Sequence, residues 1–276
     1  MTVLLAVVAD LHCNSTVGLC PPGFVKDSGD GILLSPVGAA LWKSWLDYWK
    51  RIGKLKAKHQ CECWVVVNGD ACDMNTHGGA GLRSHVRADV PKMAAETLEA
   101  AAGVIDRVFV VRGTEAHSGG EGEMEESLAA DIGATGNDAM GTSSWWHLPI
   151  DVGGVRFSIA HHPQTAGWMP HTKRMAALRQ SNIVALDAEE HNTLPADVYI
   201  RSHTHYFAKT PPGMRPMVVY TPPWQLATAF SHRKGHNDYV DPPGGLWFLC
   251  VDGAIAEWDV IRYWPKRRAY WTPSSE

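Results

Sequence analysis

Val3-Leu4-Leu5-Ala6-Val7-Val8-Ala9-Asp10-Leu11-His12 decides the reading of this chain. Its apolar run is far shorter than the roughly 18 residues of a membrane span. It is also too continuous for a strand with one wet face. It fits a β-strand buried on both faces. The run stops on Asp10 and His12, two residues apart, so on extended backbone both side chains point to one side. Four later expected strands end in the same way. Residues 64–67 lead to Asn68-Gly69-Asp70, and residues 108–111 to Arg112-Gly113-Thr114-Glu115-Ala116-His117. Residues 155–161 end at His161-His162-Pro163, and residues 198–201 at Ser202-His203-Thr204-His205. In open α/β sheets, ligands bind beyond the carboxyl ends of the strands. The five clusters are therefore expected to meet at one edge.

Helical patterns separate the early strands. Residues 36–58 space Leu41, Trp42, Trp45, Leu46, Trp49 and Ile52 along one face and close on cations. Residues 89–103 carry Pro91 in the first turn. Residues 121–131 and 171–186 are also helical in pattern. Residues 145–151 and 155–161 flank Gly153-Gly154 as a hairpin. Strands follow at 217–220, 246–251 and 255–261, the last two joined at Asp252-Gly253. Residues 13–35 and 75–81 read as loops. Strand–helix–strand–helix–strand followed mostly by strands predicts two packed sheets with helices outside.

Composition narrows the class. The chain has 276 residues, 45% of them hydrophobic, a formal net charge of −4 and a pI near 6.4. One domain over residues 1–276 is expected. There is no global basic excess for a nucleic-acid backbone, and Lys266-Arg267-Arg268 reads as a solvated tail. Cys13, Cys20, Cys61, Cys63, Cys72 and Cys250 show no framework spacing, so they are expected as buried free thiols in a reducing cytoplasm. Residues 1–10 lack a basic leader and read as a strand rather than a signal peptide.

Fourteen histidines focus attention on metal chemistry. Asp70 follows a glycine, where the backbone can bend sharply, and its two oxygens can bridge two cations. His203 and His205 repeat the spacing of Asp10 and His12. His161 and His162 are adjacent, so they face opposite ways and one of them is expected not to be a ligand. Mixed His/Asp donors suit manganese, zinc, iron or nickel better than calcium. Two such ions roughly 3.5–4 Å apart clamp a phosphoryl oxygen and lower the pKa of a bridging water. His59, His85, His147, His171, His191, His232 and His236 carry no such pattern and read as surface or core residues. His77 reads as a solvated loop residue, and Asp73 as a candidate acceptor that orients a ligand histidine. Trp42, Trp45 and Trp49 are expected in the core, and Trp168 and Trp224 as loop anchors near the site.

The ordered set Asp-x-His, Gly-Asp, a Gly-led third-strand loop, His-x-Pro and His-x-His, between residues 10 and 205, resembles the calcineurin-like metallophosphoesterases. The resemblance implies an α/β fold, a four-layer αββα sandwich of two mixed sheets, with a dinuclear metal centre. It places Asp10, His12 and His205 on one ion, Asp70 as the bridge, and His161 and His203 on the second ion with a ligand from the third-strand loop. That loop departs from the family's Gly-Asn-His: Thr114 stands in the Asn slot and Glu115 in the His slot. We expect Glu115 or Thr114 to complete the second ion and His117 to act as general acid, its reference pKa being about 6.5. Ser202 replaces the Gly that usually opens the last motif.

The expected cofactors are two divalent ions, Mn²⁺ first, with Zn²⁺, Fe²⁺ and Ni²⁺ as alternatives. The expected activity is phosphoester hydrolysis by a bridging hydroxide, phosphodiesterase first. Phosphomonoesterase, nuclease and a non-catalytic metal-binding module are the alternatives. The expected partner is a phosphate-ester substrate, a nucleotide or nucleic acid among the candidates. No membrane partner is expected, and the Trp-rich C-terminal stretch is a candidate homo-oligomer interface.

Overall fold

The computed structural model describes residues 1–74, 81–164, 170–233 and 240–264. The strands are β1 (Thr2–Val8), β2 (Glu62–Asn68), β3 (Arg107–Val111), β4 (Leu148–Val152), β5 (Val155–Ile159), β6 (Val198–Arg201), β7 (Ala208–Lys209), β8 (Met217–Tyr220), β9 (Gly244–Val251) and β10 (Ala254–Arg262). The helices are α1 (Pro36–His59), α2 (Asp89–Glu99), α3 (Glu115–Ser118), α4 (Glu123–Asp131), α5 (Pro170–Glu190) and α6 (Ala229–Arg233).

Two five-stranded sheets form, in the orders β10-β9-β1-β2-β3 and β4-β5-β6-β8-β7. Both are mixed. In the first, β1, β2 and β3 run parallel while β9 and β10 are antiparallel. In the second, β5, β6 and β8 run parallel between antiparallel edge strands.

The continuous apolar run of β1 has its reason in this layering. Val3, Leu5 and Val7 pack with Leu148, Phe157 and Ile200 of the other sheet. Leu4, Ala6 and Val8 face the opposite way, into a core built with α1, α2 and α4. Helix α5 covers part of the far face of the second sheet through Ala176 and Ala177 against Val218 and Tyr220. The result is the α/β four-layer αββα sandwich.

Helix α1 is delimited as the sequence dictates. Ser35 Oγ accepts from Gly38 N at 3.1 Å, Pro36 opens the first turn, and Lys56, Lys58 and His59 face the negative end of the helix dipole. Its buried face carries Leu41, Trp45, Tyr48, Trp49 and Ile52. Trp45 stacks edge-on against Trp49 and Trp224, and its Nε1 donates to Thr97 O at 3.0 Å.

Three expectations shift. Strand β4 begins at Leu148 rather than 145, because Trp145 pairs with the edge of β3: its N donates to Val110 O and its O accepts from Arg112 N. Helix α2 stops at Glu99, and residues beyond it fold into turns. Elements α3, α6 and β7 were not expected; each is too short to leave a periodic signature. All six cysteines are unpaired, five of them buried. Among the described residues no helix is long and apolar enough to cross a membrane. His77, Trp168, His236, Lys266, Arg267 and Arg268 lie outside the described residues, as does the His171 side chain.

Trp45→Ala removes a fully buried side chain from this core. It is expected to destabilise the chain by about 3–5 kcal/mol in urea titration. Leu33→Ala, at a residue 94% exposed, should stay within about 0.5 kcal/mol.

Candidate metal centre

The ends of β1, β2, β5 and β6 meet at one rim between the sheets. Backbone bonds stitch the connecting turns together: Asp10 N to Gly69 O at 3.0 Å, His12 N to Asp70 O at 2.9 Å, and Ser202 N to His161 O at 2.9 Å. Asp10, His12, Asp70, His203 and His205 all have φ between 44° and 68°. That left-handed region costs a side-chain-bearing residue about 1 kcal/mol or more. It is least unfavourable for Asp, Asn and His. Asp10 and His12, and likewise His203 and His205, are therefore placed by sharp turns and not by the extended backbone that their two-residue spacing suggested.

Two glycines make room. A Cβ on Gly69, at φ +79°, would run into the His161 ring, and a Cβ on Gly113 into the Asp70 carboxylate and backbone.

Among the described residues three groupings result: Asp10, His12 and His205; Asp70, His161 and His203; and His12, Asp70 and His117. Within each, the donor atoms lie within 4.8 Å of one another. Asp70 Oδ2 is the common point, 3.1 Å from His161 Nε2 and 4.0 Å from both His12 Nε2 and His203 Nδ1. His12 Nε2 and His205 Nε2 stand 3.2 Å apart.

The residues fit divalent ions. Both Asp10 oxygens are buried without a hydrogen-bond partner. His205 Nε2 approaches Asp10 Oδ1 at 3.3 Å, but in poor alignment for a bond. Orphaned buried carboxylate oxygens are costly unless a cation faces them. The N/O donor set is the one that manganese, zinc, iron and nickel accept.

The third-strand loop differs from expectation. Thr114 donates from N to Asp70 Oδ1 at 2.6 Å, and its Oγ1 lies 2.8 Å and 3.0 Å from the two Asp70 oxygens. These bonds hold the carboxylate in place. Glu115 is exposed and enters none of the groupings. It opens α3, whose turn swings its side chain away and brings in the next-but-one residue. That residue, His117, stands edge-on to His12 at 4.5 Å, with Nδ1 2.9 Å from Asp73 Oδ1. Asp73 is buried, and its Oδ2 lies 3.3 Å from His12 Nδ1. One carboxylate thus orients two imidazoles. The sequence marked Asp73 as an orienting acceptor but not its link to His117, which the short helix creates.

The charges reinforce one another. Burial alone would raise the Asp10 and Asp70 carboxyls, yet the surrounding histidines hold both below the ordinary carboxylate range. Burial would lower His161, but Asp70 prevails and lifts it to about 9. Burial lowers His12. For His117 burial is outweighed by the Asp73 hydrogen bond and the nearby carboxylates, and its pKa is raised. Behind the site lies Glu125 of α4, which the sequence did not single out. Its Oε1 accepts from Ala71 N at 3.2 Å and its Oε2 has no partner. Burial, and next the charge of Asp70, push its carboxyl up to about 7.

His59, His85, His147, His191 and His232 enter none of the groupings. His162 is exposed, its ring 5.1 Å from that of His161 and 4.9 Å from that of His203. Trp224 is fully buried against Trp45 and Tyr48, an anchor as expected.

No protein-family model matches the sequence, and no curated protein matches it. Solved structures do. A dimetal phosphatase from Danio rerio is 10% identical, over 94% of this chain and 98% of that one, with a TM-score of 0.45. Vps29 from Chaetomium thermophilum is 12% identical, over 94% and 95%, with a TM-score of 0.40. A single mutant of Vps29 from Entamoeba histolytica is 14% identical, over 94% and 99%, with a TM-score of 0.40.

Gly113→Ala should displace Asp70 and lower bound metal, measured by elemental analysis after dialysis. Gly103→Ala, where a Cβ meets nothing within 4 Å, should leave it unchanged. A second expectation concerns pH. Folded, Glu125 keeps its proton up to about 7, whereas an ordinary glutamate releases it near 4.5. The folded state binds the extra proton between those values, so this group's contribution to stability falls as pH rises through that window. In EDTA, Glu125→Gln should flatten the loss of stability between pH 4.5 and 7; an unchanged slope would remove Glu125 from the account.

Proposed function

We propose that this chain is a metal-dependent phosphoester hydrolase acting on phosphodiesters. The observation that carries the reading is the convergence of Asp10, His12, Asp70, His161, His203 and His205, from four strand ends, on one rim where both Asp10 oxygens are buried without a hydrogen-bond partner. In this reading Asp10, His12 and His205 hold one divalent ion, His161 and His203 the other, and Asp70 both. Such ions supply Lewis-acid charge to a phosphoryl oxygen and lower the pKa of a nearby water.

The chain's own residues do the rest. Thr114 keeps Asp70 oriented through its two donors. Asn68 O accepts from His161 Nδ1 at 2.8 Å, which leaves Nε2 for an ion. Asp73 fixes His117 through Nδ1, so the imidazolium holds its second proton at Nε2 and gives it to the leaving oxygen. The Asp73 hydrogen bond and the nearby carboxylates raise the pKa of His117, which favours its protonated, donating form. A second reading makes His117 a ligand; its grouping with His12 and Asp70 favours that.

With Mn²⁺, bis-p-nitrophenyl phosphate should be hydrolysed and Asp70→Asn should abolish turnover. Activity on p-nitrophenyl phosphate alone would replace the diesterase by a monoesterase. An occupied centre with no turnover of either would leave a metal-binding module. His117→Ala should slow esters with poor leaving groups by about 10²–10⁴, and p-nitrophenyl esters less, at unchanged metal content. Loss of metal in that variant would make His117 a ligand instead.

A further inference from the structure

Helix α5 packs on β7 and β8, and its Val184 and Asp187 border a groove on β4 and β5. The groove, of about 730 Å³, is lined by His147, Ser158, His162, Val184, Tyr199 and Arg201. One end abuts the metal centre, because the ring of His162 lies against those of His161 and His203.

Arg201 is the unusual member. It is only 6% exposed. Nη1 donates to Ser158 O at 2.8 Å and Ile200 O at 2.7 Å, Nη2 reaches Ser158 Oγ at 3.3 Å, and the guanidinium lies 5.5 Å from the Tyr199 ring centre. These partners are neutral. The groove's carboxylates are engaged elsewhere: Asp151 accepts from Gly154 N, and Asp187 lies 3.5 Å from His191. The groove's other arginine, Arg156, pairs with Asp197.

A guanidinium withdrawn from water with no counter-charge is unfavourable unless an anion completes it. Its planar donor fork matches phosphate oxygens. Ser158 Oγ and His147 Nε2, 2.9 Å apart, add polar groups beside it.

We propose that this groove binds a second phosphate of the substrate, with Arg201 as its recognising cation and Ser158 and His147 as supporting contacts. The inference rests on the phosphodiesterase reading and names its substrate class: a phosphodiester carrying a further phosphate group, as in a 5′-phosphorylated nucleotide chain. The scissile group would sit at the metal centre, and the second phosphate beyond His162.

The test is a titration of the metal-stripped chain in EDTA with inorganic phosphate, followed by calorimetry and by the histidine ring signals in NMR. Wild type should bind phosphate saturably and shift the His147 signal. Arg201→Gln should weaken binding by about tenfold or more, with folding checked by circular dichroism. Should that variant not fold, Ser158→Ala and His147→Ala carry the test, each weakening phosphate several-fold. Binding equal in wild type and variants, absence of binding, or equal binding of acetate at matched ionic strength would each overturn the proposal. Because no metal and no turnover enter the titration, failure of the hydrolase reading would leave its result standing, and the reverse.

Discussion

Asn68 ties the two sheets together at the rim where the polar residues gather. It is the last residue of β2 and is fully buried. Its Nδ2 donates to Ala160 O at 3.2 Å, just past β5, and to Ser202 Oγ at 2.7 Å, just past β6. Its own carbonyl accepts from His161. The apolar core between the sheets is attractive but non-directional. It does not decide how far one sheet slides along the other. Directional bonds at one end do decide it, and they bring strand ends far apart in sequence to within a few ångströms. The same contact sets the His161 tautomer, so the registry of the sheets and the chemistry of one imidazole share a cause.

Around that tie, local unfavourable terms accumulate. Five residues take left-handed backbone, buried carboxylate oxygens lack donors, and two imidazole nitrogens face each other. Such a cluster persists because the rest of the molecule over-determines it. The aromatic core under α1 and the backbone bonds between turns hold residues 10–12 and 69–70 in place. Thr114 and Asp73 show the same principle on side chains: each uses two contacts to fix a group that would otherwise turn.

Much of this was legible in the sequence because two signals coincided. Strands β1 and β2 read as apolar runs, and the expected strands ended on clusters of Asp, Gly or His. The layer order, and the rim where Asp10, His12, Asp70, His161, His203 and His205 meet, follow from those runs. The loop at 113–118 was not legible. The sequence offered Glu115 or Thr114 as a ligand and gave no sign that a four-residue helix starts at Glu115, leaves its side chain exposed and brings His117 to Asp73. A turn that short is set by its tertiary partners rather than by propensity. Trp145 misled for a related reason: its apolar character fits a strand, yet it serves the other sheet.

The position of β1 has a consequence for synthesis. This strand lies in the middle of its sheet, between β2 and β9. Its antiparallel neighbour spans Gly244–Val251, at the opposite end of the chain. In synthesis β1 precedes the strand that closes its second side, with every other described element except β10 falling between them. Throughout that interval the exposed backbone of β1 is a template for any passing strand. The geometry that buries β1 so completely in the finished molecule thus leaves one of its edges open until β9 joins it.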